Sequence, residues 1–360
     1  MARSEARMKP DEVVRVFKET YIPGVEELVE RIGRRYRRLR PRRRGAAGRK
    51  ELELKRVELV YNILRDTFRR IASLPSTREM DEFHATLVRE VLGEDYDRAV
   101  ERARYLLRML EKLWDDYRLL IVTAPKPEEA SRLRKEACGR MISLWRRYKR
   151  LLETLIRAKE EIVKTHVVSE DLPVIVVAGV PSAGKSTLIR RVSTAEPEVA
   201  PYPFTTKSII VGKTRCGSLD AYVVDTPGIL DRPYEELNEI ERKAYVALRS
   251  LAHAVIYLLD PSVERSVELE GQLRILSEIA ERIVGDRRRL LVAINKVDVV
   301  EPQVVEELEE MLRGEGYSVY RISALRGDGV EELLRDACRA ALEYYLARHG
   351  VTSGARRPSG

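Results

Sequence analysis

The octapeptide Gly179-Val180-Pro181-Ser182-Ala183-Gly184-Lys185-Ser186 constrains this chain more than any other stretch. It follows the β-branched run Val174–Val177 and precedes a helical pattern that starts with Thr187. Glycines at its ends let the backbone curl until several N–H groups converge at the positive end of the following helix. Such a cradle suits a phosphate chain. The spacing predicts that Lys185 reaches the β- and γ-phosphates while the Ser186 hydroxyl binds Mg²⁺. A Gly-rich turn that holds no ligand is the alternative, and the strand–loop–helix context disfavours it.

The chain changes character near residue 170. Beyond it, the short apolar runs Val174–Val177, Tyr222–Val224, Val255–Leu259, Leu290–Ile294 and Ser318–Ile322 mostly alternate with helical patterns, which predicts parallel βαβ units. Before it, apolar residues recur at steps of three and four, as in Val57, Val60, Tyr61, Leu64, Phe68 and Ile71. Ser76-Thr77-Arg78-Glu79 has the form of a capping box opening a helix through Met80, Phe83, Leu87 and Val91, with Gly93 as its stop. Another face joins Tyr96, Val100, Ala103, Leu107, Leu110, Trp114 and Tyr117. After Pro127, one long helix is expected to reach about His166, burying Leu133, Met141, Trp145, Tyr148, Leu152, Leu155 and Ile162. Short loops between such helices predict an antiparallel bundle.

The phosphate loop alone does not separate ATP from GTP. Asn295-Lys296-Val297-Asp298, directly after the run Leu290–Ile294, does. The Asp298 carboxylate suits guanine N1–H and its 2-amino group, whereas adenine would leave it unpaired. Lys296 is expected along the base, and Asn295 is expected to tie this loop to the phosphate loop. Ser323-Ala324-Leu325 closes the last strand, where a backbone N–H meets guanine O6. Asp225-Thr226-Pro227-Gly228 closes another, with Asp225 holding a Mg²⁺-bound water and the Gly228 N–H sensing the γ-phosphate. Thr206, twenty residues past Ser186, is a candidate Mg²⁺ ligand in a loop that orders around a triphosphate. The expected fold is thus an N-terminal all-α antiparallel helical bundle (1–166), a linker (167–173), an α/β P-loop GTPase domain (174–346) with a mostly parallel sheet and helices on both faces, and a disordered tail (347–360).

Composition narrows the remaining choices. The formal net charge is +8, but residues 1–170 carry 41 Lys/Arg against 29 Asp/Glu, so the helical half holds +12. Such asymmetry implies that one half meets a polyanion. No apolar run approaches the roughly 18 residues needed to span a bilayer, and the N-terminus lacks a signal peptide's apolar segment. A cytoplasmic protein is expected. Cys138, Cys216 and Cys338 lie far apart, so neither a disulfide framework nor a zinc cluster is anticipated. Only two Gln and three Asn among many charges resemble a thermophile's usage.

The motifs also carry a family resemblance. Val199–Lys207, which reads VAPYPFTTK and contains Phe204, Thr205 and Thr206, resembles the switch segment of Obg-like GTPases. Asp225–Pro233, Leu237–Leu248, and Asp260-Pro261-Ser262 with Gln272 resemble the Nog-type nucleolar GTP-binding proteins, as do Gly139-Arg140 and the basic helices upstream. The resemblance covers about residues 10–345 and implies a GTPase of large-ribosomal-subunit assembly in a short, archaeal-looking form. Its implied partners are the large subunit or its precursor and rRNA, with no membrane, and the chain is expected to be a monomer off the ribosome. Two positions depart from related patterns. Ser182 stands where many relatives carry the Asn linked to potassium-accelerated hydrolysis, so potassium stimulation is not carried over. Ile229 follows Gly228 where Ras-like proteins place the water-orienting glutamine. Catalytic charge stabilisation then falls to Lys185, Thr206 and Mg²⁺, and the water must be positioned by backbone, a switch residue or a partner.

Residues 31–50 contain eleven arginines and lysines and no acid. A merely solvated helix would intersperse acids at i+4, so RNA contact is the favoured reading. A second cluster, Arg132, Arg134, Lys135, Arg140, Arg146, Arg147, Lys149 and Arg150, is opposed only by Glu136. Trp145 and Tyr148 fall on the apolar stripe there and are expected in the core. Two other functions remain in view: a guanine-nucleotide sensor that binds RNA without useful hydrolysis, and a membrane-associated GTPase. The helices lack the broad apolar face with edge Trp or Phe that the membrane reading needs.

Overall fold

The computed structural model describes residues 7–165, 172–202 and 207–348, and it divides into two compact units. The first is helical: α1 (Pro10–Glu19), α2 (Val25–Arg38), α3 (Gly45–Ala72), α5 (Asp95–Thr123), α6 (Pro127–Arg147) and α7 (Lys149–Val163). Helix α4 (Glu82–Leu92) groups, up to Val91, with the second unit instead. There His84 Nε2 lies 2.7 Å from Thr165 Oγ1, and Glu82 pairs with Arg348.

The bundle is built on α3, whose Val57, Val60, Leu64, Phe68 and Ile71 are buried as their spacing predicts. Phe68 meets the Trp145 ring edge-on at 5.4 Å. Trp145 and Tyr148 are 0% and 1% exposed, which assigns both to the core. Their polar tips are satisfied there: the indole N–H donates to Val25 O at 3.3 Å and the phenol to Ala99 O at 2.6 Å. Two expectations need correction. The long helix after Pro127 breaks at Tyr148, whose N–H turns back to Trp145 O. The apolar stripes of α6 and α7 stay in phase across the break, which hides it from periodicity. The Ser76–Glu79 motif forms a turn, with the Glu79 carboxylate accepting from Ser76 N–H at 2.6 Å, and the helix starts only at Glu82.

The second unit is a twisted α/β layer. Its strands are β1 (Val174–Ala178), β2 (Glu198–Pro201), β3 (Ser208–Cys216), β4 (Leu219–Asp225), β5 (Ala254–Leu259), β6 (Leu290–Ile294) and β7 (Ser318–Arg321). They lie in the order β2-β3-β4-β1-β5-β6-β7. β4-β1-β5-β6-β7 are parallel, and β3 runs antiparallel to both β2 and β4. β1, β5 and β6 are buried at every position, as strands covered on both faces must be. Helices α8 (Lys185–Val192), α9 (Glu239–Leu251), α10 (Leu269–Ile279), α11 (Pro302–Gly314) and α12 (Val330–Arg348) make the connections. Strand order reverses at β1, and in such sheets ligands bind beyond the C-terminal strand ends at that point. A disulfide joins Cys216 of β3 to Cys338 of α12, with the Cα atoms 5.3 Å apart. The sequence separation of 122 residues gave no sign of it.

Candidate functional site

The motifs singled out in the sequence collect at one edge of the sheet. Gly179 follows β1, Asp225 ends β4, Asp260 follows β5, Asn295 follows β6, and Ser323 lies two residues past β7. The phosphate loop curls as its glycines require. A Cβ on Gly179 (φ 137°) would lie 2.5 Å from Leu258 O, and one on Gly184 (φ 100°) would lie 2.4 Å from Asn295 Nδ2. Ser182 and Lys296, both at φ 63°, are the two non-glycine residues with left-handed backbone among the described residues. One sits in each proposed nucleotide loop, where stored strain commonly marks function.

Lys185 is 8% exposed, and its ammonium donates to Gly179 O at 2.7 Å and Val180 O at 2.9 Å. Burial lowers its pKa, while Asp225 and Asp231 oppose that shift. Ser186 Oγ donates to Asp225 Oδ2 at 3.4 Å. Burial pushes the Asp225 carboxyl up to about 6 against the pull of Lys185 and Ser186. Asp225 Oδ1 and Thr226 Oγ1 are buried without a hydrogen-bond partner among the described residues. A buried carboxylate oxygen left unpaired beside a serine hydroxyl fits a hydrated Mg²⁺, so the residues present suit the ion. Phe204, Thr205 and Thr206 lie outside the described residues.

Across the sheet, Asn295 is 2% exposed and links three loops. Its Nδ2 donates to Ala183 O at 2.7 Å, and its Oδ1 accepts from Ala324 N–H at 2.9 Å. The Asp298 side chain meets Arg326 at 3.3 Å. Ser323 N–H donates to Asp328 O at 3.0 Å, so Ser323 and Ala324 brace this loop with their amides. Leu325 is exposed.

Asp260, Ser262 and Gln272, singled out in the sequence only by resemblance, form a network beside Lys296, and Asp231 and Arg232 bond to the backbone of Gly228. Asp260, fully buried, pairs with the Lys296 ammonium and is held by Ser262 Oγ at 2.6 Å. The Gln272 side chain brackets the Asp260 backbone from both sides, at 2.8 and 2.9 Å. The Gly228 N–H donates to Asp231 Oδ2 at 2.7 Å. Arg232 donates to Gly228 O at 3.3 Å and to Glu241 Oε1 at 2.9 Å. A carboxylate directly after a buried apolar strand was the available signal for Asp260.

Residues 18–169 match the NOG1 N-terminal helical domain, and residues 174–296 match the family described as 50S ribosome-binding GTPase. An uncharacterized protein of Methanocaldococcus jannaschii is 32% identical over 257 residues, 71% of each chain. The chain belongs to the Nog1 family of GTP-binding proteins. Nucleolar GTP-binding protein 1 of Drosophila melanogaster is 30% identical over 76% of this chain, which spans 43% of that relative's length. A crystal structure of nucleolar GTP-binding protein 1 from Plasmodium falciparum shares 23% identity, covering 50% of this chain and 89% of its own, at a TM-score of 0.40. As a Nog1-family member the chain pairs a helical N-terminal unit with a P-loop GTPase domain. No helix among the described residues is long and apolar enough to cross a membrane.

Proposed function

We propose that this Nog1-family chain is a GTPase of large-ribosomal-subunit assembly whose helical unit grips structured rRNA with an affinity set by the bound guanine nucleotide. The observation that carries the RNA half is the arginine run. Arg34, Arg35, Arg37, Arg38, Arg40, Arg42, Arg43, Arg44 and Arg49 are all exposed on one segment that contains no acid. The names of the matched family and of the eukaryotic relatives support the ribosomal setting. In the nucleotide half, Lys185 and the loop amides would hold the phosphates, Asp298 would select guanine, and Asn295 would fix the loops. Ser186, Asp225 and Thr206 would hold Mg²⁺, which neutralises phosphate charge when bound.

Ile229 is fully buried and aliphatic, so it cannot orient an attacking water. Hydrolysis without a partner should be slow, on the order of 10⁻⁴ to 10⁻² s⁻¹. The same observation keeps a second reading in play, an RNA-binding nucleotide sensor. Co-sedimentation with large subunits in GTP, GDP and a non-hydrolysable analogue tests the proposal, together with single-turnover hydrolysis with and without precursor subunits. Binding that ignores the nucleotide removes gating, and hydrolysis that precursors leave unchanged favours the sensor.

A further inference from the structure

The Gly228 amide has a prior occupant. Its N–H is the donor that the sequence assigns to the γ-phosphate, and in the structure it donates to Asp231 Oδ2 at 2.7 Å. Asp231 lies three residues on, at the end of the same loop, and its charge reaches both Lys185 and Asp225. Its carboxylate therefore occupies the amide that the γ-phosphate would need. One N–H in this geometry serves one anion well, and two anions sharing it repel each other.

We propose that Asp231 is an internal competitor of the γ-phosphate, and so the residue that sets how far the domain prefers GDP over GTP. This rests on the GTP reading of the site and deepens it. GDP has no γ-phosphate and leaves the Gly228–Asp231 bond intact. GTP must displace Asp231 to gain the same donor, and the displacement is subtracted from its affinity. The competition acts on the triphosphate alone, which is how a ligand's differential contact shifts a two-state element.

The neighbouring side chain gives the displacement a readout. Arg232 bridges Gly228 O at 3.3 Å and Glu241 Oε1 at 2.9 Å, so the loop is strapped to the start of α9. Glu241 is 6% exposed and locked in a reciprocal cap with Asn238, at 2.9 and 3.1 Å. Moving Asp231 pulls on Arg232 and thereby on this cap. A cavity of about 510 Å³, lined by Lys207, Ser208, Pro227, Gly228 and Asp231, gives the displaced carboxylate somewhere to go beside the Lys207 ammonium.

The test is a pair of titrations, with GDP and with the β,γ-imido analogue of GTP, on the full chain and on Asp231→Ala and Asp231→Asn. Asp231→Ala should bind the analogue about tenfold tighter relative to GDP, a coupling of ordinary size, and Asp231→Asn should shift the same way, with GDP affinity changed less than twofold in both. Asp231→Asn keeps a neutral acceptor of the same shape, so its folding is secure and its shift should be the smaller of the two. An unchanged ratio, a parallel loss for both nucleotides, or weaker analogue binding would each overturn the proposal. If Asp231→Ala instead lost hydrolysis at unchanged affinities, Asp231 would act on the attacking water and the competitor role would fall. A parent chain that bound neither nucleotide would remove the GTP reading itself, an outcome distinct from all of these.

Discussion

The Asn295 side-chain amide lies 2.7 Å from the Ala183 carbonyl, across 112 residues of sequence, and holds the phosphate loop to the base loop. The other end of the same side chain takes the Ala324 N–H, so one buried residue fixes three loops. Replacing it would strand a buried carbonyl and a buried N–H, at roughly 1–3 kcal/mol each. Asn295→Ala should therefore lower both melting temperature and GDP affinity. Asn295→Asp should do nearly as much, because a carboxylate cannot donate to Ala183 O. Thermal melts with and without GDP check this, and a variant that loses only stability would confine Asn295 to folding.

Base selection is expected to follow Asp298. Its side chain is 8% exposed and meets the more open Arg326 at 3.3 Å, a rim contact that guanine donors can replace. Asp298→Asn should trade guanosine for xanthosine nucleotides, since an amide can serve the carbonyl at position 2 of xanthine. Competition titrations with xanthosine diphosphate measure the exchange. Full GDP affinity with no gain for the xanthine nucleotide would sink the assignment of Asp298 to the base.

The parts of this architecture that sequence revealed share a physical property. β1, β5 and β6 are buried on both faces, so each reads as an unbroken apolar run, and the motif loops sit at their ends. β2 and β3 escaped because they form the sheet's antiparallel edge, where Val199 is 68% exposed and Pro201 interrupts the pattern. Long-range partners escaped as well. Arg134 looked like part of a basic face because only Glu136 stands near it in sequence. In the fold it is 15% exposed and donates to Glu53, 81 residues away, at 2.6 Å. Local charge counting sees i±4 neighbours and misses partners on another helix. Asp231 was in plain view three residues past Gly228, but only the fold shows its carboxylate turned onto that amide.

The thiols offer a check on the structure that needs no ligand. Cys216 and Cys338 are bonded, and Cys138 is buried with its thiol pushed up to about 11 by desolvation. The thiolate is the reactive form, so raising the pKa from 9 to about 11 cuts its fraction at pH 8 by roughly a hundredfold. Folded protein should show almost no thiol reactive to a disulfide reagent at pH 8, with reactivity rising as pH climbs toward 11. Denaturation should expose one thiol, and denaturation with reduction three. Three thiols on denaturation alone would refute the Cys216–Cys338 bond.

The basic segment gives the sharpest test of the ribosomal reading, because the structure separates arginines that are free to meet phosphate from cations already engaged. Arg35, Arg37 and Arg38 are exposed on the last turns of α2, and Arg34 has only a loose, exposed pairing with Glu30 at 3.8 Å. Lys50 belongs to the same eleven-cation run, yet its ammonium donates to Ala124 O at 2.6 Å and Val122 O at 3.2 Å. Each phosphate neutralised releases counterions, so the salt dependence of binding counts the contacts. Replacing Arg34, Arg35, Arg37 and Arg38 with Ser should flatten the log–log salt slope by up to about four contacts' worth while leaving GDP affinity unchanged. Lys50→Ala should leave the slope where it is and lower the melting temperature instead. Both are read by titrating large-subunit rRNA at several salt concentrations. If the quadruple variant and the parent bind alike at low and high salt, the arginine run is a solvated surface. If Lys50→Ala flattens the slope as much as an exposed arginine does, its contacts to the α5 terminus do not hold it away from RNA.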